Sequence, residues 1–396
     1  MLGYVAADKN GFVSPSSDPN YLQNRFVSSY PRKNAMFSST PSLTDGAVYQ
    51  DEFVNFVLSR YSNAAKPVFF ELDNEPDLWS ATHSIVQTSP LSYQTLVDKT
   101  LAYASMIKDQ SANSMVFGPV SYGWWGFLTL QDAPDAGSKG DFLNYYLQQL
   151  RAAQATYGHR LVDVLDVHWY PEARGGGVRV TGNETSDAVA QARMQSPRSL
   201  WDPTYVESSW ISQSVGAIRL LPRLKDKINA NYPNTKIAIT EYYYGGGVHI
   251  SGAIAQADLL GIFGREDLFA ANLWREGGTT DAFIFAAFDM FNNYDGQGGA
   301  FGATSVRAQT SDAAQSSVYA SLDAQGRMIV VAINKASTAK SVTLNVRNAS
   351  VYTRAQAYVL TSASTTPQRG AEVPVTNGTL VVQLPALSVQ TFVLGN

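Results

Sequence analysis

Up to about residue 300, short apolar, β-prone runs alternate with longer stretches whose apolar residues recur every three or four positions. The first kind predicts strands over 2–7, 67–73, 114–120, 164–169, 236–241 and 269–274. The second predicts helices over 49–63, 91–111, 139–157, 209–231 and 251–262, and Phe283, Ala286, Ala287, Met290 and Phe291 share one face of a further helix. Strands that alternate with helices indicate βα units around a parallel sheet. Six strands can be counted where a closed eight-stranded barrel needs eight. Either two more remain to be recognised or the chain starts late. After "NNYDGQGGAFG" the pattern changes to period two, in "SSVYASLD", "RMIVVAIN", "KSVTLNVRN", "AQAYVLTS" and "TLVVQLPALSVQTFVLG", joined by turns such as "DAQGR" and "TNGT". Short strands at that spacing indicate an antiparallel β-sandwich. The expected α/β architecture is therefore a (β/α)8 TIM-like barrel over 1–300, lacking its first strands, and a β-sandwich over 301–396.

Composition narrows the partners. The net charge of −4, from 29 basic and 33 acidic residues, comes with no basic stripe or block of like charge. Nucleic acid and anionic membrane are thus excluded as expected partners, and a monomer is expected. Charged residues make up only 16% while aromatics reach 12%, with 21 Tyr and 7 Trp. That excess suits a surface that stacks on flat apolar faces, and sugar rings present such faces. Without cysteine there is no disulfide or thiolate chemistry. The opening "MLGYVAADKNGFVSP" has no basic segment followed by an apolar one, as a signal peptide would. It begins at once with strand-like "LGYVAA", so Met1 is expected to lie inside a longer natural chain.

The chemistry concentrates where two predicted strands end. "FFELDNEPDLWS", residues 69–80, sets three carboxylates, Asp73, Glu75 and Asp77, after a strand-like run, and "KIAITEYYYGGG" ends another strand in Glu241. Barrel enzymes work at the C-terminal ends of their strands. Hydrolysis of a glycosidic bond needs a proton for the leaving oxygen and a second carboxylate facing the anomeric carbon. Glu75, beside Asn74, is read as general acid/base, with Asn74 holding a substrate hydroxyl. Glu241, before three tyrosines including Tyr243 whose hydroxyls can orient it, is read as nucleophile. Either glutamate alone could be a rim salt bridge; the pair on two strand ends favours catalysis. Asp73 and Asp77 either raise the pKa of Glu75 or accept backbone N–H bonds in the turn, the second being the commoner case. Trp79, Trp124, Trp125, Trp169, Tyr170 and Trp274 follow other strand ends and are expected to stack on sugars. A lone aromatic at such a place more often covers the core. His168 is expected to hydrogen-bond Glu241 or a sugar hydroxyl, with a satisfied structural histidine as the alternative. The four histidines have no zinc-hydrolase spacing. Oxygen-rich "AADKNG" and "QDAPDAGSKGD" could hold calcium, though such stretches are more often plain turns.

At these positions the chain resembles glycoside hydrolase family 44. The likeness is carried by "ELDNEPDLWSATH", "DVHWYPE", "ITEYYYGGGVHISGAIAQADLLGIFGREDLFAANLW", "NNYDGQGGAFG" and "SSVYAS". The resemblance implies a (β/α)8 barrel with a β-sandwich and a retaining endo-β-1,4-glucanase acting on cellulose derivatives, xyloglucan and, in some members, xylan. Carried over by position, it puts the acid/base on Glu75 and the nucleophile on Glu241, requires no cofactor for the chemistry, and implies a structural Ca2+ in many members. A polymeric substrate implies an extracellular, secreted enzyme. Family members have a further stretch ahead of the counterpart of "GYVAAD" that supplies the first barrel strands; this chain lacks it, in keeping with the strand count. The alternatives are a non-catalytic or degenerate glycan-binding protein that keeps the stacking surface, and another barrel glycosidase such as a β-mannanase.

Overall fold

The computed structural model describes residues 1–6, 16–38, 40, 42, 44, 46–61, 66–275, 281–347 and 351–396. The chain forms two compact units. The first contains Met1–Trp169, Leu224–Glu241 and Phe269–Asn272, and the second contains the remaining segments.

Among the described residues the first unit is built on eight strands: β1 (Tyr4–Ala6), β2 (Phe26–Tyr30), β3 (Ala47–Tyr49), β4 (Phe69–Glu71), β5 (Met115–Ser121), β6 (Val164–Trp169), β7 (Lys236–Tyr242) and β8 (Ala270–Leu273). Strands β4 to β8 make one sheet in the order β8-β7-β6-β5-β4, with β4, β5 and β6 parallel and Phe69 opposite Met115, Phe117 opposite Val164. Strands β1 to β3 form a separate sheet in which β1 is antiparallel and β3 parallel to β2. Strands β2 and β3 are the two absent from the sequence count. They are short, and "FVSSY" and "AVY" hold too little apolar pattern to stand out. Strands β5 and β6 are almost wholly buried, which explains their near-continuous apolar character. The rings of Phe69, Phe117 and Phe269 pack with centroids 5.3–6.0 Å apart towards the start of these strands. The opposite ends are therefore left for polar groups. Helices Tyr93–Gln110 and Phe142–Tyr157 open with side-chain caps, Ser92 accepting from the Thr95 amide and Asp141 from the Asn144 amide.

The second unit holds a short antiparallel pair, Arg174–Gly175 with Val178–Arg179, and a longer run of antiparallel strands from Thr304 onward. Six of them form a sheet with Met328–Asn334 and Ser388–Gly395 at its centre, and Lys340–Asn345 pairs with Thr379–Leu384 in a second sheet. Between them lies a core that includes Val330, Ala355, Leu380, Val382 and Phe392. The unit does not start at residue 300, because helices Ile250–Arg265 and Ala282–Asn292 belong to it. Side-chain chemistry accounts for this: Asp258 takes a buried ion pair from Lys335 (2.6 Å) and a hydrogen bond from the Tyr319 hydroxyl (2.6 Å), and Thr391 donates to the Met290 carbonyl (2.8 Å). The helix expected over 209–231 is two, Trp210–Val215 and Leu220–Asn231. The chain turns between them through left-handed residues Gly216 and Arg219. Among the described residues no helix is long and apolar enough to cross a membrane.

Candidate active site

After β4 the chain makes an abrupt turn. Asp73 (φ 79°) and Glu75 (φ 43°) both sit in the left-handed region, and Pro76 then opens a single 3-10 turn. The turn is tied to the end of β5. The Glu75 amide donates to the carbonyl of Val120 (3.1 Å), itself at φ 62°, which is a costly conformation for a β-branched residue. Asp77 is buried and accepts from the Ser121 hydroxyl (2.6 Å) and the Tyr122 amide (3.1 Å). Burial pushes its carboxyl up to about 7 despite those bonds. Of the two expectations for this aspartate, the commoner one holds: it fastens the turn by accepting a backbone N–H. The space around it is full, since a Cβ on Gly126 would lie 1.9 Å from an Asp77 carboxylate oxygen and 2.3 Å from the Ser121 hydroxyl.

Glu75 is thereby aimed at β6 and β7. His168, near the end of β6 and fully buried, has Nδ1 2.8 Å from Glu75 Oε1 and 3.3 Å from Glu241 Oε2. One donor atom from each of the three residues lies within 4.8 Å of the other two, an arrangement that could also hold a metal ion. The carboxylates are partly open to solvent and the imidazole is not. Burial opposes the imidazolium. The hydrogen bond to Glu75 and the charges of Glu241, Glu75 and Asp166 outweigh it and raise the His168 pKa. Two positions earlier on β6, Asp166 accepts from the Thr240 hydroxyl (2.8 Å), and burial pushes it up to about 7. Sequence reasoning missed Asp166. Its signal was a lone aspartate inside the apolar run "VLDVHW", two residues from His168 and so on the same face of the strand.

The aromatic expectations divide. Trp125 is 45% exposed, and Asn74 is exposed beside the acid. Trp79, Trp124 and Trp169 are buried and offer no face to a sugar, which corrects their expected stacking role. Trp79 instead donates its indole N–H to the Asn74 carbonyl (2.8 Å), and Trp169 packs on Phe127. In the second unit Tyr243 is also buried, its hydroxyl donating to Asp281 (2.9 Å), whereas Tyr170 is half-buried and Trp274 is 59% exposed. The calcium candidates fare no better. Most of "AADKNG" lies outside the described residues. In the other stretch Asp135 accepts from the Tyr93 amide and pairs with Lys139, while Asp141 caps a helix and pairs with Lys227. Carboxylates already held by ammonium groups do not fit a calcium ion, which needs six to eight oxygens.

Comparison with known proteins bears on the family and the fold. The profile of glycoside hydrolase family 44 matches residues 1–173. A solved structure of a xyloglucanase of that family from Paenibacillus polymyxa with xyloglucan superposes with a TM-score of 0.95 at 39% identity, over 100% of this chain and 80% of the other. The chain belongs to glycoside hydrolase family 44. A family 44 endoglucanase from Clostridium acetobutylium gives the same TM-score at 37% identity, over 99% of this chain and 79% of that one. The fold is accordingly the TIM-like barrel with a β-sandwich that the sequence implied. Endoglucanase A of Paenibacillus lautus is 44% identical over 349 residues, which make up 85% of this chain and 49% of that protein. The chain thus spans about half the length of this relative.

Proposed function

We propose that the protein is a retaining endo-β-1,4-glucanase whose acid/base is Glu75 and whose nucleophile is Glu241. The observation that carries this is the approach of the two carboxylates to within 4.8 Å from the ends of two strands of one sheet. A separation of about 5–5.5 Å suits attack by one carboxylate on the anomeric carbon, whereas inverting enzymes keep about 6.5–9.5 Å to admit a water. Glu75 protonates the leaving oxygen while Glu241 forms the glycosyl-enzyme bond. Glu75 then takes a proton from the water that cleaves that bond. His168 holds both carboxylates in register, its Nδ1 lying 2.8 Å from Glu75 and 3.3 Å from Glu241. The left-handed turn at Glu75 fixes the acid in place, which is where backbone strain commonly accompanies function.

The substrate class, β-1,4-linked glucans such as cellulose derivatives and xyloglucan, is supported by relatives described as endoglucanase and as xyloglucanase. Such polymers lie outside cells, so action outside the cell is part of the proposal. The test is release of reducing ends from carboxymethylcellulose and xyloglucan. Release with the β-anomer formed first supports the proposal. Binding without release would favour the non-catalytic glycan-binding alternative.

A further inference from the structure

We propose that Glu75, His168 and Glu241 also form a binding site for a borderline divalent cation such as Zn2+, and that the bound ion reversibly blocks the catalytic pair. The spacing of the donors is the first argument. Zinc bonds of about 2.0–2.2 Å leave neighbouring donors of a tetrahedron roughly 3.3–3.5 Å apart. His168 Nδ1 already lies 2.8 Å from Glu75 Oε1 and 3.3 Å from Glu241 Oε2. All three donors fall within 4.8 Å of one another, so side-chain shifts of at most about 1.5 Å bring them to the spacing of one tetrahedral ion.

The donor set is the second argument. One imidazole nitrogen and two carboxylate oxygens suit zinc-like ions, which accept mixed N and O ligands, better than calcium, which needs more oxygens than are present. His168 is fully buried and therefore rigid, while the carboxylates are partly exposed, which gives an ion an entry path and leaves a fourth position for water.

The ion takes the place of the proton that Nδ1 shares with Glu75. That proton is released to solvent when the ring is doubly protonated and moves to Nε2 when it is singly protonated. Nε2 is buried with no hydrogen-bond partner among the described residues. Zinc histidines normally donate this second nitrogen to an outer carboxylate or carbonyl, which strengthens binding. Lacking that support, this site suits a reversible occupant. With the ion in place, Glu75 has no free position to give a proton and Glu241 cannot attack. Only the blocking part rests on the glucanase proposal.

The experiment is calorimetric titration of the whole chain with ZnCl2, repeated in the presence of cellotetraose and paired with hydrolysis assays in chelator-treated buffer. The expected result is one site per chain, competed by cellotetraose. His168→Gln should weaken it by at least about 100-fold, at or beyond the loss seen on removing an outer-shell partner. His159→Gln, at an exposed histidine, should leave it unchanged. If His168→Gln fails to fold by circular dichroism, Glu241→Gln serves, with the absorption of bound Co2+ reporting the change in ligand set. A native chain with no saturable site, or native zinc affinity retained in both His168→Gln and Glu241→Gln, overturns the inference even if glucan is cleaved. Zinc bound through His168 by a chain that cleaves no glucan in metal-free buffer supports the site and sinks the functional proposal.

Discussion

The strand ends around Glu75 and the antiparallel sandwich grow from similarly apolar runs, yet they settle into different physical states. At the rim, Asp73, Glu75 and Val120 hold left-handed backbone conformations. Buried polar atoms of Asp166, His168 and Trp169 have no hydrogen-bond partner among the described residues. In the sandwich, Met328–Asn334 pairs without a break with strands on both sides. Even buried Asn334 aims its amide at the carbonyls of Thr338 and Pro385 (2.9 and 2.7 Å). From residue 304 onward, no described buried side-chain polar atom lacks a partner. Left-handed residues of this kind cost on the order of 1–3 kcal/mol each and persist only where the surroundings hold them. Asn377 and Leu387 in the sandwich are left-handed too, so the difference lies in polar satisfaction: hydrogen bonding is complete in the sandwich and incomplete around the candidate site.

The sharpest break of this contrast is Glu241→Ala. Activity on glucans should fall by about 10^4–10^6-fold, as when a catalytic nucleophile is removed. Added azide or formate should restore turnover on an activated aryl glycoside with inverted stereochemistry. In the sandwich unit, Lys335→Ala should leave the kinetics of folded enzyme unchanged but lower stability by about 3–5 kcal/mol, because buried Asp258 loses its cation. Chemical denaturation would measure that loss, and a change below about 1 kcal/mol would remove the ion pair from the account.

At the rim, Asp166 keeps its proton in the folded chain up to about pH 7 and in the unfolded chain only up to about pH 4. The native state then binds more protons across that window, so stability should decline as pH rises through it. Asp166→Asn should remove at most about 4 kcal/mol of that decline. An unchanged pH slope would show that Asp166 titrates normally. The smallest effect expected is from Gly126→Ala. Its methyl would meet Asp77 and Ser121 at 1.9 and 2.3 Å, costing about 1–3 kcal/mol of stability by thermal unfolding. Turnover should fall with it as the acid-bearing turn shifts.

Long, continuous apolar runs were legible. Strand β6 was expected over 164–169 and runs from Val164 to Trp169. Glu75 and Glu241 were legible because a carboxylate at the end of a buried strand needs a reason to be there. Strands β2 and β3 were not, since a few residues with no clear period carry no signal. Nor was the burial of Trp79, Trp124, Trp169 and Tyr243 legible. Sequence places an aromatic at a strand end but does not say which way it turns, and in "GWWG" one indole points into the core while the next stays exposed.

The most direct measurement traps the intermediate. A cellobiosyl fluoride carrying fluorine in place of its C2 hydroxyl forms the glycosyl-enzyme but slows its breakdown, and peptide mapping by mass spectrometry then locates the label. One cellobiosyl group on Glu241, absent after Glu241→Gln, is the predicted result. A label on any other residue, or rapid hydrolysis to the inverted sugar with no label at all, would contradict a retaining pair made of Glu75 and Glu241.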